Sequence, residues 1–567
     1  MLGVGSAGAK DTGSQDFTAK VELFDAISHP MRIKILEALN ERPMGFAELK
    51  RAVGIESGGH LSFHLTKLGH LIRTDSLGDY VLTREGKDAL LTIQAPREKA
   101  PTPDLAPSQA NRVAVLPFTS MSPDPNDAYL ADGITDEIIS AVSGINGLSV
   151  ISRTSVAGYK GTTEKVEEIG KELKVGSILE GTFKRAGKRI RVTAQLIDVA
   201  TDGHLWVHNY DRKMDDIFEV QSDVAKQVAE ALRVTILSSQ LERIDRSPTK
   251  NVAAYALYLK GRYLWNTRNL SELRQAQEFF EQAVKEDPRF AQGYVGIADC
   301  CLVLRDNWSI DRETNFERSD AMVDKALELD SELAEAHATK GCLLRDRHDF
   351  THAEEELKRA IELKPSYASA HQWYSQLLCY GWLRWDEALS HMEKALDLDP
   401  LSPVINYSLG DLYYAKRDYN KAVEPYRRAA QLGPPYTHWG LAIAHGKAKM
   451  FEEMRQEFAV HVRLVQDAIP FISTYNDTIA AFLEGDEQTL RRLLPELETH
   501  FQEAGAWAFK IAEFWFFLGE NDKGFDWLER SYSMREFHLM EMRTSEELDS
   551  VRDDPRYLDL VKRLGLD

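Results

Sequence analysis

Two histidines four residues apart, His60 and His64, have the spacing that places both imidazoles on one helix face. Such a pair can hold a metal ion, but a site needs further ligands, and no third residue of suitable type and spacing stands nearby. The same stretch carries Ser57, Ser62 and Lys67. Their hydroxyl and ammonium groups suit base edges and phosphates better than a metal. Arg73, Arg84 and Lys87 follow and add three cations able to meet phosphate. A second cluster, Asp132, Asp136 and Glu137, could do acid–base work; its place near a predicted helix start reads more simply as carboxylates favouring the positive end of the helix dipole. Arg153 and Lys160 read as separate, solvated bases. The cysteines, Cys300, Cys301, Cys342 and Cys379, form no Cys-x-x-Cys pair. They read as buried thiols of a reducing compartment, not as a disulfide framework or a zinc site. With no phosphate-cradling loop either, no catalytic residue, cofactor or metal is assigned, and the chain is expected not to be an enzyme.

The elements that must position the basic and hydroxyl residues follow from apolar spacing. Residues 17–28 and 30–40 carry Val21, Phe24, Ile27, then Ile33, Ile35, Leu36 and Leu39 at helical intervals. Pro30 suits a first helical turn, where its missing N–H would be unpaired anyway. Pro43 and Gly45 punctuate, FAELKRAVG forms a short helix ending at Gly54, and Ser57 is a natural N-cap for a third helix, HLSFHLTKL. In that helix Phe63, Leu65 and Leu68 read as core, which leaves Ser57, His60, Ser62, His64 and Lys67 for a ligand. LIRTDSLGDYVLT predicts a hairpin about Gly78, and REGKDALL a closing helix. A helix–turn–helix followed by a hairpin can put its third helix in the major groove and its wing, with Arg73, Arg84 and Lys87, on phosphates.

The segments HPMRIKILEAL, FAELKRAVGI, LSFHLTKL and YVLTREGKDAL together resemble the ArsR-like winged-helix family, over residues 17–95. The resemblance implies an α+β winged helix, double-stranded DNA as partner, and a homodimer. The family's metal-sensing cysteines would fall on FAELKRAVG, which has none, so metal sensing is not implied. Residues 17–94 hold ten basic and ten acidic side chains, so phosphate contact rests on a local patch.

At 567 residues and 64.2 kDa the chain has room for about three to four domains. Its formal net charge of −20 excludes a protein basic throughout that coats nucleic acid. The acidity is uneven: residues 251–567 hold 38 basic and 55 acidic side chains, the first 250 hold 31 and 34. Residues 1–16 read as a disordered tail, and 96–111, rich in Pro and Ala, as a linker. No run of 18 apolar residues exists, so no membrane span is expected, and the chain reads as cytoplasmic.

Residues 112–247 alternate strand and helix signals: NRVAVLPF, a helix over 128–145, LSVISRTS, the helix KVEEIGKELKV, long antiparallel strands turning at Ala186-Gly187 and Asp202-Gly203, and a helix from DIFEVQ onward. VAVLPF, ADGITDEII, SRTS and EGTFKRAGKRIRVTAQLIDVATDGHLW resemble the TolB amino-terminal-like family, which implies an α/β signalling or assembly domain. Members of that family are fused to winged helices or adenylate cyclase domains; the cyclases' metal-binding aspartates are not recognisable here.

From 251 to 567 a period of about 34 residues sets in. Gly341, Ala353, Leu357, Ala360 and Pro365 repeat their spacing in Gly410, Ala422, Tyr426, Ala429 and Pro434. This matches the tetratricopeptide pattern and implies an all-α solenoid of six to eight repeats whose groove takes a protein or peptide. Tyr255, Tyr258, Tyr263, Trp265, Trp373, Tyr374, Tyr413 and Tyr414 divide between core and groove in a way sequence does not sort. The order reader, linker, α/β domain, solenoid points to a non-enzymatic transcriptional regulator, with an assembly scaffold that uses the winged helix for protein contact or dimerisation as the alternative.

Overall fold

Ile35, Leu36 and Leu39 recur at helical spacing and are buried on one face of α1 (Pro30–Glu41). The computed structural model describes residues 30–55, 58–75, 78–87, 90, 109–124, 127–266, 270–305, 312–434, 436–467, 469, 471–504 and 507–566. The expected tail 1–16, the helix at 17–28, Ser57 and most of the linker 96–111 lie outside them. The chain divides into two compact units, Met1–Thr102 and Pro103–Asp567.

In the first unit α1, α2 (Phe46–Ala52) and α3 (Gly58–Leu68) bury Leu49, Leu61, Leu65 and Leu68 with the α1 residues. β1 (Ile72–Thr74) and β2 (Tyr80–Leu82) pair antiparallel, Ile72 opposite Leu82 and Thr74 opposite Tyr80. Met44 adds a bridge to this hairpin: its N–H donates to Tyr80 O at 3.2 Å, and Tyr80 N–H donates back at 2.9 Å. The Pro43–Gly45 stretch is therefore more than punctuation. Residues 84–87 are helical.

The second unit holds a six-stranded sheet in the order β5 (Ser149–Val150), β3 (Arg112–Val115), β6 (Ser177–Ala186), β7 (Arg189–Asp198), β8 (Gly203–Lys213), with β4 (Thr119–Ser120) also on β6. β3 runs parallel to β5 and β6, and β6–β7–β8 form an antiparallel meander. The expected turns occur, with Asp202 and Gly187 at φ of 51° and 63°. α4 (Ala128–Ser143), α5 (Arg153–Val156), α6 (Val166–Leu173), α7 (Ile217–Ala231) and α8 (Ser238–Asp245) complete this part.

Sixteen helices follow as eight successive pairs among the described residues: α9 (Val252–Trp265) and α10 (Leu270–Glu286), α11 (Ala291–Arg305) and α12 (Arg312–Leu329), α13 (Ala334–Asp346) and α14 (Phe350–Leu363), α15 (Ala368–Tyr380) and α16 (Trp385–Leu398), α17 (Pro403–Ala415) and α18 (Tyr419–Leu432), α19 (Tyr436–Lys447) and α20 (Phe451–Val465), α21 (Ile472–Glu484) and α22 (Glu487–Ala504), α23 (Ala508–Phe517) and α24 (Asn521–Ser533). A further helix, α25 (Pro555–Arg563), follows. The glycine of the repeat pattern sits where the two helices of a pair cross: a Cβ on Gly341 would lie 2.6 Å from Leu357 Cγ, and one on Gly410 2.7 Å from Tyr426 Cδ1. The large residue sixteen places on fills the space that the glycine leaves.

The sheet and the array share one apolar core. Val113, Ile134, Ile138 and Val224 belong to the same buried cluster as Tyr255, Leu259, Phe280 and Phe290 of the leading helices. α4 packs on α7 and on α9. Gly133 of α4 is the point of closest approach, since a Cβ there would stand 2.6 Å from Leu259 Cδ2.

Candidate functional site

The apolar spacing of α3 turns Leu61, Leu65 and Leu68 to the core and leaves Ser62 and Lys67 exposed, with His64 half-buried beside them. Of His60 only the backbone, in α3, is described. Arg73 stands exposed on β1 opposite Val81. Thr83 fixes the next element: its hydroxyl donates to His70 O at 2.8 Å and accepts from Gly86 N–H at 3.1 Å, while its own N–H donates to Leu71 O at 3.0 Å. These bonds hold the start of the 84–87 helix against the residues just after α3, so Arg84 and Lys87, both exposed, flank the end of the helix that carries Lys67. Among the described residues none of Lys67, Arg73, Arg84 and Lys87 forms an ion pair, whereas Arg42 is neutralised by Glu48. Four exposed cations on three elements of the first unit can meet phosphates, and Ser62 can donate or accept at a base edge or a phosphate.

In the second unit the acidic cluster of α4 differs from expectation. Asp132 and Asp136 lie beyond the first turn, so they do not cap the helix. Instead Arg153 bridges them, Nη2 to Asp132 Oδ1 at 3.0 Å and Nε to Asp136 Oδ1 at 2.6 Å, and Lys160 Nζ meets Asp132 Oδ2 at 2.5 Å. Arg153 and Lys160 are thus paired bases, not separate solvated ones. Asn266 Nδ2 donates to Asp136 Oδ2 at 3.0 Å, and Lys364 Nζ donates to Ser140 Oγ at 2.9 Å and to Glu335 at 2.6 Å. Burial pushes the Glu137 carboxyl up to about 7, helped by Glu335 and opposed by Arg262. Through these contacts α4 lies against α9 and the start of α13. First helices line the inner face of such an array, so its leading part is filled by the chain itself.

The aromatic residues now sort. Tyr255, Tyr258 and Tyr374 are buried, Trp265, Trp373, Tyr413 and Tyr414 half-buried, and Tyr263 is exposed. All four cysteines are buried, and none forms a disulfide. No helix among the described residues is long and apolar enough to cross a membrane.

Family models place this architecture. Residues 334–367 and 383–437 match models of the tetratricopeptide repeat. The helix pairs within these stretches are tetratricopeptide repeats. Residues 108–228 match the model of the second domain of HilA/YgeH-like transcriptional regulators. Residues 20–93 match a model described as a domain of unknown function. Among curated proteins, "Putative adenylate cyclase 3" of Rhizobium meliloti is 34% identical over 247 residues, 43% of this chain and 42% of that protein. The human mitochondrial import receptor subunit TOM70 is 26% identical over 145 residues, 25% of this chain and 21% of that one. The chain thus spans less than half the length of either relative. Solved structures include that of Pseudomonas aeruginosa pilF, 22% identical with a TM-score of 0.29 over 38% of this chain and 92% of that one. Another is the human IFIT1 dimer, 14% identical with a TM-score of 0.35 over 56% and 78%.

The relative bearing a cyclase name corrects one expectation. A chain that is not an enzyme is contradicted by 34% identity over 247 residues to a protein named as an adenylate cyclase. A likeness spread over that length does not show in any local constellation of side chains.

Proposed function

We propose that the chain is a transcriptional regulator that binds double-stranded DNA through residues 17–95, a winged helix of the ArsR-like kind acting as a homodimer. Residues 96–111 are the linker, 112–247 a TolB amino-terminal-like α/β domain, and 251–567 the repeat solenoid. The observation that carries the reading is the regulator-domain match at 108–228 in a chain whose first unit presents, on and beside its third helix, four exposed cations without an ion-pair partner among the described residues. In this reading Ser57, His60, Ser62, His64 and Lys67 face bases or phosphates in the major groove, while Arg73, Arg84 and Lys87 meet phosphates beside it. The second unit receives a partner, and since α4 fills the inner face at the leading repeats, a protein or peptide takes the later ones. In this reading the chain acts in the cytoplasm.

The test is retention of fragmented genomic DNA by the purified chain across a salt series, read by sequencing. Specific retention that weakens with salt supports the regulator. Salt-labile retention without enrichment favours an assembly scaffold in which the first unit makes protein contacts. A second reading comes from the relative named as a cyclase: the chain takes part in forming cyclic AMP from ATP. Incubation with ATP and magnesium, with cyclic AMP measured directly, decides it.

A further inference from the structure

The later repeats enclose a cavity of about 90 Å³ between α15, α17, α18, α19, α23 and the segment after α24. A water needs roughly 10–15 Å³ of such space, so a small organic molecule fits. Its wall is aromatic: Tyr407, Tyr414, Tyr426, Trp439 and Trp507 all line it. Tyr407 meets Tyr426 edge to face at 4.9 Å between ring centroids, and Trp439 meets Trp507 at 5.5 Å in the same manner. These contacts hold the rings in place, and the open ring faces carry negative charge density.

The charges around the cavity do not cancel. Lys510 is paired with Glu513 on its own helix, and His538 with Glu541, Nδ1 to Oε1 at 2.8 Å. That leaves two carboxylates held by neutral donors alone. Glu536 accepts from Phe509 N–H at 2.9 Å and Ser531 Oγ at 2.7 Å. Asp411 accepts from the Tyr426 hydroxyl at 2.6 Å. Burial pushes the Asp411 carboxyl up to about 7, despite that bond, with Glu541 adding to the rise. His538 opposes that rise from across the cavity, but its charge is already engaged by Glu541, so Asp411 has no cation bonded to it among the described residues.

One side of the cavity is bounded by the segment after α24. Residues Phe537–Arg543 form the turn that brings His538 and Glu541 to its rim. Arg417 holds the following residues down, donating to Thr544 O and Ser545 O at 3.2 Å each and pairing with Asp549 at 2.6 Å. Lys447 adds pairs to Glu546 and Glu547.

We propose that this cavity binds a small organic cation, an alkylammonium group seated on the Tyr407, Tyr426, Trp439 and Trp507 rings with Asp411 as its counter-charge. Aromatic walls and an unpaired carboxylate are the chemistry that recognises a weakly hydrated cation. The site is independent of DNA binding, and it stands or falls without it.

The test is calorimetric titration of the full chain with tetramethylammonium and with choline, against 3,3-dimethylbutanol as the uncharged shape mimic of choline. Saturable binding of the cations, at least about tenfold tighter than the alcohol, is expected. Asp411→Asn, which keeps the shape and removes the charge, weakens the cations at least about tenfold while its unfolding temperature at pH 8 does not fall. Trp439→Leu lowers affinity for both cations. Equal binding of cation and alcohol, no saturable binding, or an unchanged affinity in Asp411→Asn overturns the proposal. Binding confined to a peptide carrying trimethyl-lysine overturns the assignment to a free small molecule.

Discussion

Ser155 Oγ donates a 2.5 Å hydrogen bond to Asp399 Oδ1, joining residues 244 apart in sequence. The same Oγ accepts from Leu401 N–H at 2.8 Å. Ser155 lies in α5, just after β5, and Asp399 caps the end of α16, so the bond fastens the sheet to the repeats. Both side chains are buried. Burial pushes the Asp399 carboxyl up to about 6, against the bonds from Ser155, Ser152 and Thr154.

A pH prediction comes from that shift. The folded value lies above the ordinary 3.8, so the folded chain holds this proton more tightly than the unfolded one. The contribution is full below about pH 4 and is lost as pH rises to about 6. Asp399→Asn removes that dependence, and its unfolding temperature gains on the parent between these two pH values. Ser155→Ala takes a donor from a buried acid and lowers stability by about 1–3 kcal/mol at neutral pH. Thermal unfolding of both variants across pH checks the pair; equal pH slopes in Asp399→Asn and parent would refute it.

Gly133 gives a steric prediction. Its missing Cβ is what lets α4 reach Leu259, which is fully buried. Gly133→Ala forces Leu259 to move and destabilises the second unit by about 1–3 kcal/mol. Shortening the partner, as Gly133→Ala with Leu259→Ala, recovers part of the loss beyond the sum of the single changes. Denaturant unfolding of the four proteins of this cycle measures the coupling.

What the sequence made legible follows from how local each signal is. The crossing of Gly341 on Leu357 and of Gly410 on Tyr426 is written in a repeated spacing, so the array could be read before any coordinates. Exposure of Ser62, Lys67, Arg73, Arg84 and Lys87 follows from where the leucines of α3 and its neighbours must point. The Arg153–Asp132 pair is different, for it depends on how two elements dock and no local pattern announces it. The Met44–Tyr80 bridge escaped because Pro43 and Gly45 speak louder locally than one paired methionine. Filling of the leading inner face by α4 was hidden for the same reason: an amphipathic helix names its apolar face, not the surface it meets.

The cysteines offer a simple check on the packing of the repeats. All four are buried, and burial pushes the Cys301 thiol up to about 11 and Cys379 well above 9. Only the thiolate is an effective nucleophile, so a disulfide-exchange reagent at pH 8 labels none of them in the native chain and all four in denaturant. Fast native labelling of any one would show an opening of the array at that site.

The last prediction concerns the first unit. If Lys67, Arg73, Arg84 and Lys87 meet phosphates, each alanine substitution weakens binding to all DNA sequences alike and lowers the slope of log affinity against log salt by about 0.9. In the proposed reading α3 reaches base edges, so the His60→Ala, Lys67→Ala double variant also loses preference among sequences. Arg42→Ala is the control, since Glu48 already engages that charge. Far-ultraviolet circular dichroism verifies that each variant is folded. Lys67, Arg73, Arg84 and Lys87 are exposed, and their substitution leaves the leucine core of α1 to α3 intact, so a lost slope reports a lost contact. A slope that stays at its parental value in all four single variants assigns these cations to a protein surface instead.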